Sequence, residues 1–426
     1  MILGDLKRSR VADDKLWEMV NRANHLTTGG YSSWDDNAPA LVPLMERILA
    51  RAREMEDWHV YFYDMSRLFW LVRRNKVNDL RRAFRLAELF HRDSALHVGE
   101  QAGQTAQEWR VQVTALILGF YLDYPQIDDG KIQQMLGIFR EFHERYGSEW
   151  NNGDYQKVMS LAKMNRDREL AEEAKRKLER ADYKNWCYVC YYGLQMIGYY
   201  VLCEEPEEVE ELIARLCERA IPVKYRWCFD KCEAAKEEAL VYEAILDCLK
   251  IGHSRMFVRF FEKWRRLYEK PIADAVRDTH MVLLHSLAGD WSRLEERLRL
   301  AEEDDRDRRE GTETPLYCLY WSLCWHCYFR MLKEQGTETV WMKLEEEREA
   351  KEDWNVGDMK EIGKLQKSGD TKEAGREWPC LEAAAYFERQ ADLLGEQMDR
   401  ARKRFGYEMV KRTYEDCFLN GQWDGR

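Results

Sequence analysis

Only eight prolines occur in 426 residues, and that scarcity constrains the fold more than any other feature of the chain. Proline cannot donate a backbone hydrogen bond and breaks helix interiors, but it is tolerated in a first helical turn. Six of the eight (Pro39, Pro125, Pro206, Pro222, Pro271 and Pro315) stand where hydrophobic patterning places a helix start or an inter-helix turn. The segments between them are therefore read as long helices with short connections. A loop-rich fold would need more Pro and Gly at its turns.

The patterning supplies the helices. A long aromatic segment alternates with a shorter, strongly charged one. Asp57 to Val72, with Trp58, Tyr61, Phe62, Met65, Phe69 and Trp70, is the first aromatic segment. Further long helices are expected over 104–124, 153–165, 184–204, 229–251, 274–288 and 313–335. Each charged segment carries an apolar stripe at i, i+3, i+7 and i+10, which is one face of a helix. The stripes are Val77, Leu80, Phe84, Ala87; Ile132, Met135, Phe139, Phe142; Ala171, Ala174, Leu178, Ala181; Phe257, Phe260, Trp264, Leu267; and Trp291, Leu294, Leu298, Ala301. Val209, Leu212 and Leu216 give a sixth, which Arg219 breaks at its fourth position. Ser254 and Asp290 are expected as N-caps, because their side-chain oxygens can accept from orphan backbone N–H groups.

Gly289-Asp290-Trp291 followed by Leu294, Leu298 and Ala301 resembles the second helix of the tetratricopeptide-like α-helical repeat superfamily. Leu294 stands where that family has alanine, and Met281, Val282 and His285 stand in place of its first-helix motif. The resemblance covers residues 56–303 and implies an all-α solenoid of antiparallel helical hairpins. It also implies a non-catalytic role in binding a protein or peptide. The stripes recur at uneven intervals.

The expected organisation is a helical segment over 1–55, a hairpin array over 56–350, an irregular connection over 351–379 and a capping helix over 380–426. In the last, Ala384, Phe387, Ala391, Leu394, Met398, Ala401 and Phe405 form a heptad seam. It is read as closing the array, with homodimerisation through this helix as the alternative.

Charge narrows the partners. The formal net charge is -11, with acids and bases interleaved rather than gathered into a basic stripe, so nucleic acid is not an expected partner. Residues 185–203 are uncharged and near spanning length, but five tyrosines fit a protein interior better than lipid. No membrane partner is expected either. Met1-Ile2-Leu3-Gly4-Asp5-Leu6-Lys7 runs directly into charge, so the twelve cysteines are read as reduced thiols of a cytoplasmic chain.

Cys187 and Cys190 are spaced i, i+3, and Cys228 and Cys232 are spaced i, i+4, which would suit a tetrahedral zinc if the two segments met. Mid-helix placement argues instead for buried thiols, and no cofactor or metal is expected. The run Glu302 to Asp307 is read as a solvated helix end, since no second metal-binding motif faces it. Asp278, His280 and His285 do not share a helix face, and no nucleophile, zinc or phosphate-loop motif occurs. No catalytic residue is assigned. Among 16 tryptophans and 22 tyrosines, the i, i+4 pairs Tyr188/Tyr192 and Trp321/Trp325 are the candidate groove-lining residues. The competing reading is an α/α-toroid enzyme acting on a carbohydrate, with catalytic acids on its loops.

Overall fold

A computed structural model describes residues 13–28, 34, 36–73, 79–94, 103–149, 151–183, 187–226, 232–267, 279–309, 313–344, 375–402 and 404–420. Val77, Cys228, Pro271, Asp278 and 351–374 of the expected irregular connection lie outside them. The described residues form seventeen α-helices and two short strands. In chain order the helices are α1 (Asp14–Leu26), α2 (Ala38–Glu54), α3 (Trp58–Val72), α4 (Leu80–Ser94), α5 (Gly103–Leu122), α6 (Asp129–Tyr146), α7 (Gln156–Asn165), α8 (Arg168–Leu178), α9 (Leu194–Cys203), α10 (Pro206–Cys217), α11 (Glu237–Ile251), α12 (Ser254–Leu267), α13 (Thr279–Leu287), α14 (Leu294–Arg309), α15 (Pro315–Glu334), α16 (Cys380–Ala401) and α17 (Tyr407–Phe418). The fold is all-α apart from β1 (Thr339–Met342) and β2 (Arg376–Pro379), an antiparallel pair. The second strand lies where an irregular connection was expected.

Local chemistry sets the helix ends. Asp13 caps α1 by accepting from the backbone N–H groups of Lys15 and Leu16, and Asp167 caps α8 by accepting from Leu170. Pro315 opens α15 and Thr314 caps it. Gly252, at φ +101°, closes α11 in the left-handed conformation that glycine adopts without strain. Two expected caps shift. The carbonyl of His253, not Ser254, accepts the first backbone bond of α12, from Phe257. Asp290 folds back on Ser292, accepting from its N–H at 3.0 Å and its hydroxyl at 2.6 Å, and α14 starts only at Leu294.

The chain divides into two compact units. One comprises 1–121, 130–157 and 180–185; the other comprises 122–129, 158–179 and 186–426. In the first, the Arg67 guanidinium of α3 meets Asp64 at 3.0 Å with both side chains fully buried. It also donates to Asn24 and Thr27, which ties α3 to α1 and satisfies a charge that burial would otherwise make costly.

In the second unit, long helices bury nearly every side and their successors bury one. α11 hides Leu240, Val241, Ala244, Ile245, Leu246, Asp247, Cys248, Leu249 and Ile251, whereas α12 hides only the stripe Met256, Phe257, Phe260, Phe261 and Trp264. α9 packs against α8, α10 and α11, and α13 packs against α15. Gly198 marks a close approach of α9 and α11, which α7 joins through a long side chain. Lys163 of α7 reaches Asp247 of α11 at 2.9 Å directly over this glycine of α9. A Cβ there would stand 2.6 Å from an Asp247 carboxylate oxygen.

The heptad seam of α16 is spent inside the chain. Phe387 stacks on Phe329 of α15 with ring centroids 5.8 Å apart, and Ala384, Ala391 and Met398 are buried. These seam residues pack against the chain's own core. The expected single helix ends at Ala401, and Gly406, at φ +66°, caps the start of α17, which packs on α11, α12 and α15. No helix among the described residues is long and apolar enough to cross a membrane.

Candidate functional site

The entrance to α9 gathers the densest unusual chemistry. Before the regular helix, Val189–Gly193 form a π-helical turn. Such turns interrupt the regular hydrogen-bond ladder and recur at functional positions. Gly193 packs closely, since a Cβ there would lie 2.9 Å from Cδ1 of Leu216 on α10 and displace that methyl. The wider turn sets Tyr188 and Tyr192 side by side, with ring centroids 4.8 Å apart. Tyr225 stacks on Tyr188 at 5.2 Å. Burial raises the phenol pKa of both Tyr188 and Tyr192, so they remain neutral hydrogen-bonding groups.

Three thiols meet beside this aromatic stack. Cys187 precedes the first helical residue, Cys190 lies in the π-helical turn, and Cys232 sits in the segment entering α11, just before a short 3-10 turn at Glu233–Ala235. The Cys232 sulfur is 3.4 Å from that of Cys187 and 3.5 Å from that of Cys190. The thiol pKa of Cys187 is raised, first by its hydrogen bond with Cys190 and then by burial; burial raises that of Cys232.

The other expected groove pair divides. Trp321 of α15 is buried, its ring 4.2 Å from the half-exposed Tyr317. Trp325 has no exposed surface, and its indole N–H donates to Asp304 at 2.9 Å. It is a core residue and has no face to offer a partner.

The acidic run is not a solvated helix end. Asp304 and Asp305 are buried: Asp304 also accepts from the Thr279 hydroxyl at 2.7 Å, and Asp305 accepts from the Tyr386 hydroxyl at 2.8 Å. Burial pushes the Asp304 carboxyl up to about 7. The histidines also have separate structural partners. His280 bonds the Tyr414 hydroxyl at 2.8 Å. His285 lies 3.7 Å from Asp290, and burial lowers its pKa to about 4, so it is neutral near pH 7. Met281, Val282, His285, Asp290, Ser292, Arg293 and Arg297 line a small hollow there.

Among the described residues, two sets of three ligand-bearing side chains have their ligand atoms within 4.8 Å of one another: Cys187–Cys190–Cys232 and His326–Glu388–Glu415. Nothing in local spacing announced the second, since its members lie on α15, α16 and α17. Lys411 already places an ammonium 2.8 Å from Glu388. A scan of protein-family models and searches of curated proteins and solved structures each found no match to this chain.

Proposed function

We propose that the chain is a non-catalytic scaffold, built as a tetratricopeptide-like solenoid, that holds a protein or peptide partner in the cytoplasm as an adaptor, peptide-responsive regulator or immunity-type protein. The observation carrying this reading is the packing of α9 between α10 and α11, with a partly exposed aromatic strip running from the π-helical turn into α9. Tyr191, Tyr192, Gln195 and Tyr200 share that strip. Tyrosines offer large, amphipathic contact area at low entropic cost, which suits a peptide-binding surface. Asp304, Asp305 and His280 are committed to hydrogen bonds within the fold.

The test is direct binding. A protein co-isolated with the tagged chain from its own cells is purified and titrated against the wild type and Tyr192→Ala. The expected result is a stoichiometric complex that the variant weakens at least about tenfold while it stays folded with wild-type helical content, as loss of an interface aromatic does. An unaltered affinity, or no complex between the purified components, ends the reading.

A further inference from the structure

We propose that Cys187, Cys190 and Cys232 are thiolate ligands of a structural zinc ion that clasps the start of α9 to the segment entering α11. This goes beyond the scaffold reading and stands or falls separately from it. Geometry is the first support. A tetrahedral zinc with Zn–S near 2.3 Å holds its sulfurs about 3.8 Å apart. The observed separations of 3.4 and 3.5 Å need to open by only a few tenths of an ångström. Side-chain rotation about Cα–Cβ supplies that without moving the backbone.

The second support is where the cysteines stand. A mid-helix position would hold a thiol against its own helix, and that expectation favoured buried thiols. Instead, Cys187 lies ahead of the helix, Cys190 lies in its irregular first turn, and Cys232 lies in a connection. All three are half-buried, which gives a metal a route of entry.

Without a cation, three thiolates at this distance would repel one another, so the apo cluster keeps its protons. Zinc entry breaks one S–H bond at each ligand, forms a Zn–S bond in its place and releases the protons to water. A fourth ligand completes the tetrahedron. The competing set, His326–Glu388–Glu415, is disfavoured because Lys411 already supplies a positive charge to Glu388.

The experiment uses the whole chain, purified reduced from zinc-supplemented cells. Elemental analysis is expected to find zinc at one per chain, as a single structural site requires. Stripping the wild type with a chelator and titrating Co²⁺ is expected to produce thiolate-to-cobalt charge-transfer absorption with release of protons. Cys190→Ser should lose both signals, and Cys217→Ser, at an exposed cysteine, should keep both. Because the wild-type cobalt titration needs no substitution, a misfolded variant cannot mask the result. Trace zinc together with a cobalt spectrum lacking the charge-transfer band overturns the proposal. So does a disulfide between any two of the three cysteines in freshly purified protein.

Discussion

Cys187/Cys190 and Cys324/Cys327 share one sequence spacing and have opposite surroundings. The first pair opens a helix, is half-buried and meets a third sulfur from another segment. The second lies within α15 and is buried in the core. Among the described residues, no third ligand atom completes a set around Cys324 and Cys327. Two cysteines three apart are therefore a statement about helix face, not about metal binding. What separates the cases is the break in helical geometry at Val189–Gly193 and the arrival of Cys232 from the entrance of α11.

The largest expected effect tests that contrast directly. Cys190→Ser abolishes cobalt uptake, whereas Cys327→Ser retains it and loses stability by about 1–3 kcal/mol, the cost of burying a hydroxyl without a new partner. Urea unfolding with the cobalt spectrum as readout separates the two outcomes. Equal metal loss in both variants would erase the distinction.

Acidity should act next, on the first pair alone. The raised thiol pKa values of Cys187 and Cys232 mean that protons compete strongly with the metal. Metal affinity is expected to rise with pH and to fall steadily on acidification. A cobalt affinity independent of pH would contradict thiolate ligation.

A smaller effect of pH belongs to the second region, where Trp325 rests on Asp304. A carboxyl raised from 3.8 to about 7 by burial binds its proton more tightly in the folded than in the unfolded chain. Its stabilisation is complete below about pH 4 and is lost as pH rises through about 7. Asp304→Asn keeps an acceptor for the Thr279 hydroxyl and the Trp325 indole without the titration. The decline of melting temperature between those pH values should then flatten by a few degrees. An unchanged slope would assign the pH dependence to other groups, Asp154 among them, whose carboxyl burial also raises to about 7.

The smallest effect is kinetic. In metal-free native protein, a thiol reagent should label Cys187, Cys190 and Cys232 ahead of Cys324 and Cys327, which require opening of the core. Mass spectrometry after a short pulse gives the order.

Much of the helical scaffold was legible because burial follows apolar periodicity. Ile132, Met135, Phe139 and Phe142 are all buried, as are Ala171, Ala174, Leu178 and Ala181. The rule fails on α14. There Arg297, Leu300, Ala301, Asp304 and Asp305 face inward, while Trp291, Leu294 and Leu298 of the expected stripe are half-exposed. Hydropathy assigns charged residues to solvent and cannot see that Asp304 will find Thr279 and Trp325. The site was half legible for a similar reason. The cysteine pairs are local in sequence, but their meeting depends on packing between α9 and the entrance to α11. The Lys163–Asp247 bridge depends on a glycine that has no chemistry of its own. The two strands escaped notice because each has four residues and their partners lie far apart in sequence.

Arg402 carries a consequence for how the chain is made. Its fully buried guanidinium donates to the carbonyls of Leu122 and Tyr124, the latter at 2.9 Å and 278 positions away. Those carbonyls emerge early in synthesis and their donor emerges late. At about 5–20 residues per second, translation keeps them apart for tens of seconds. Throughout that interval the Tyr124 carbonyl has only its local donor, the N–H of Ile127, and a ribosome stalled before residue 402 holds a second unit that lacks this buried cross-link.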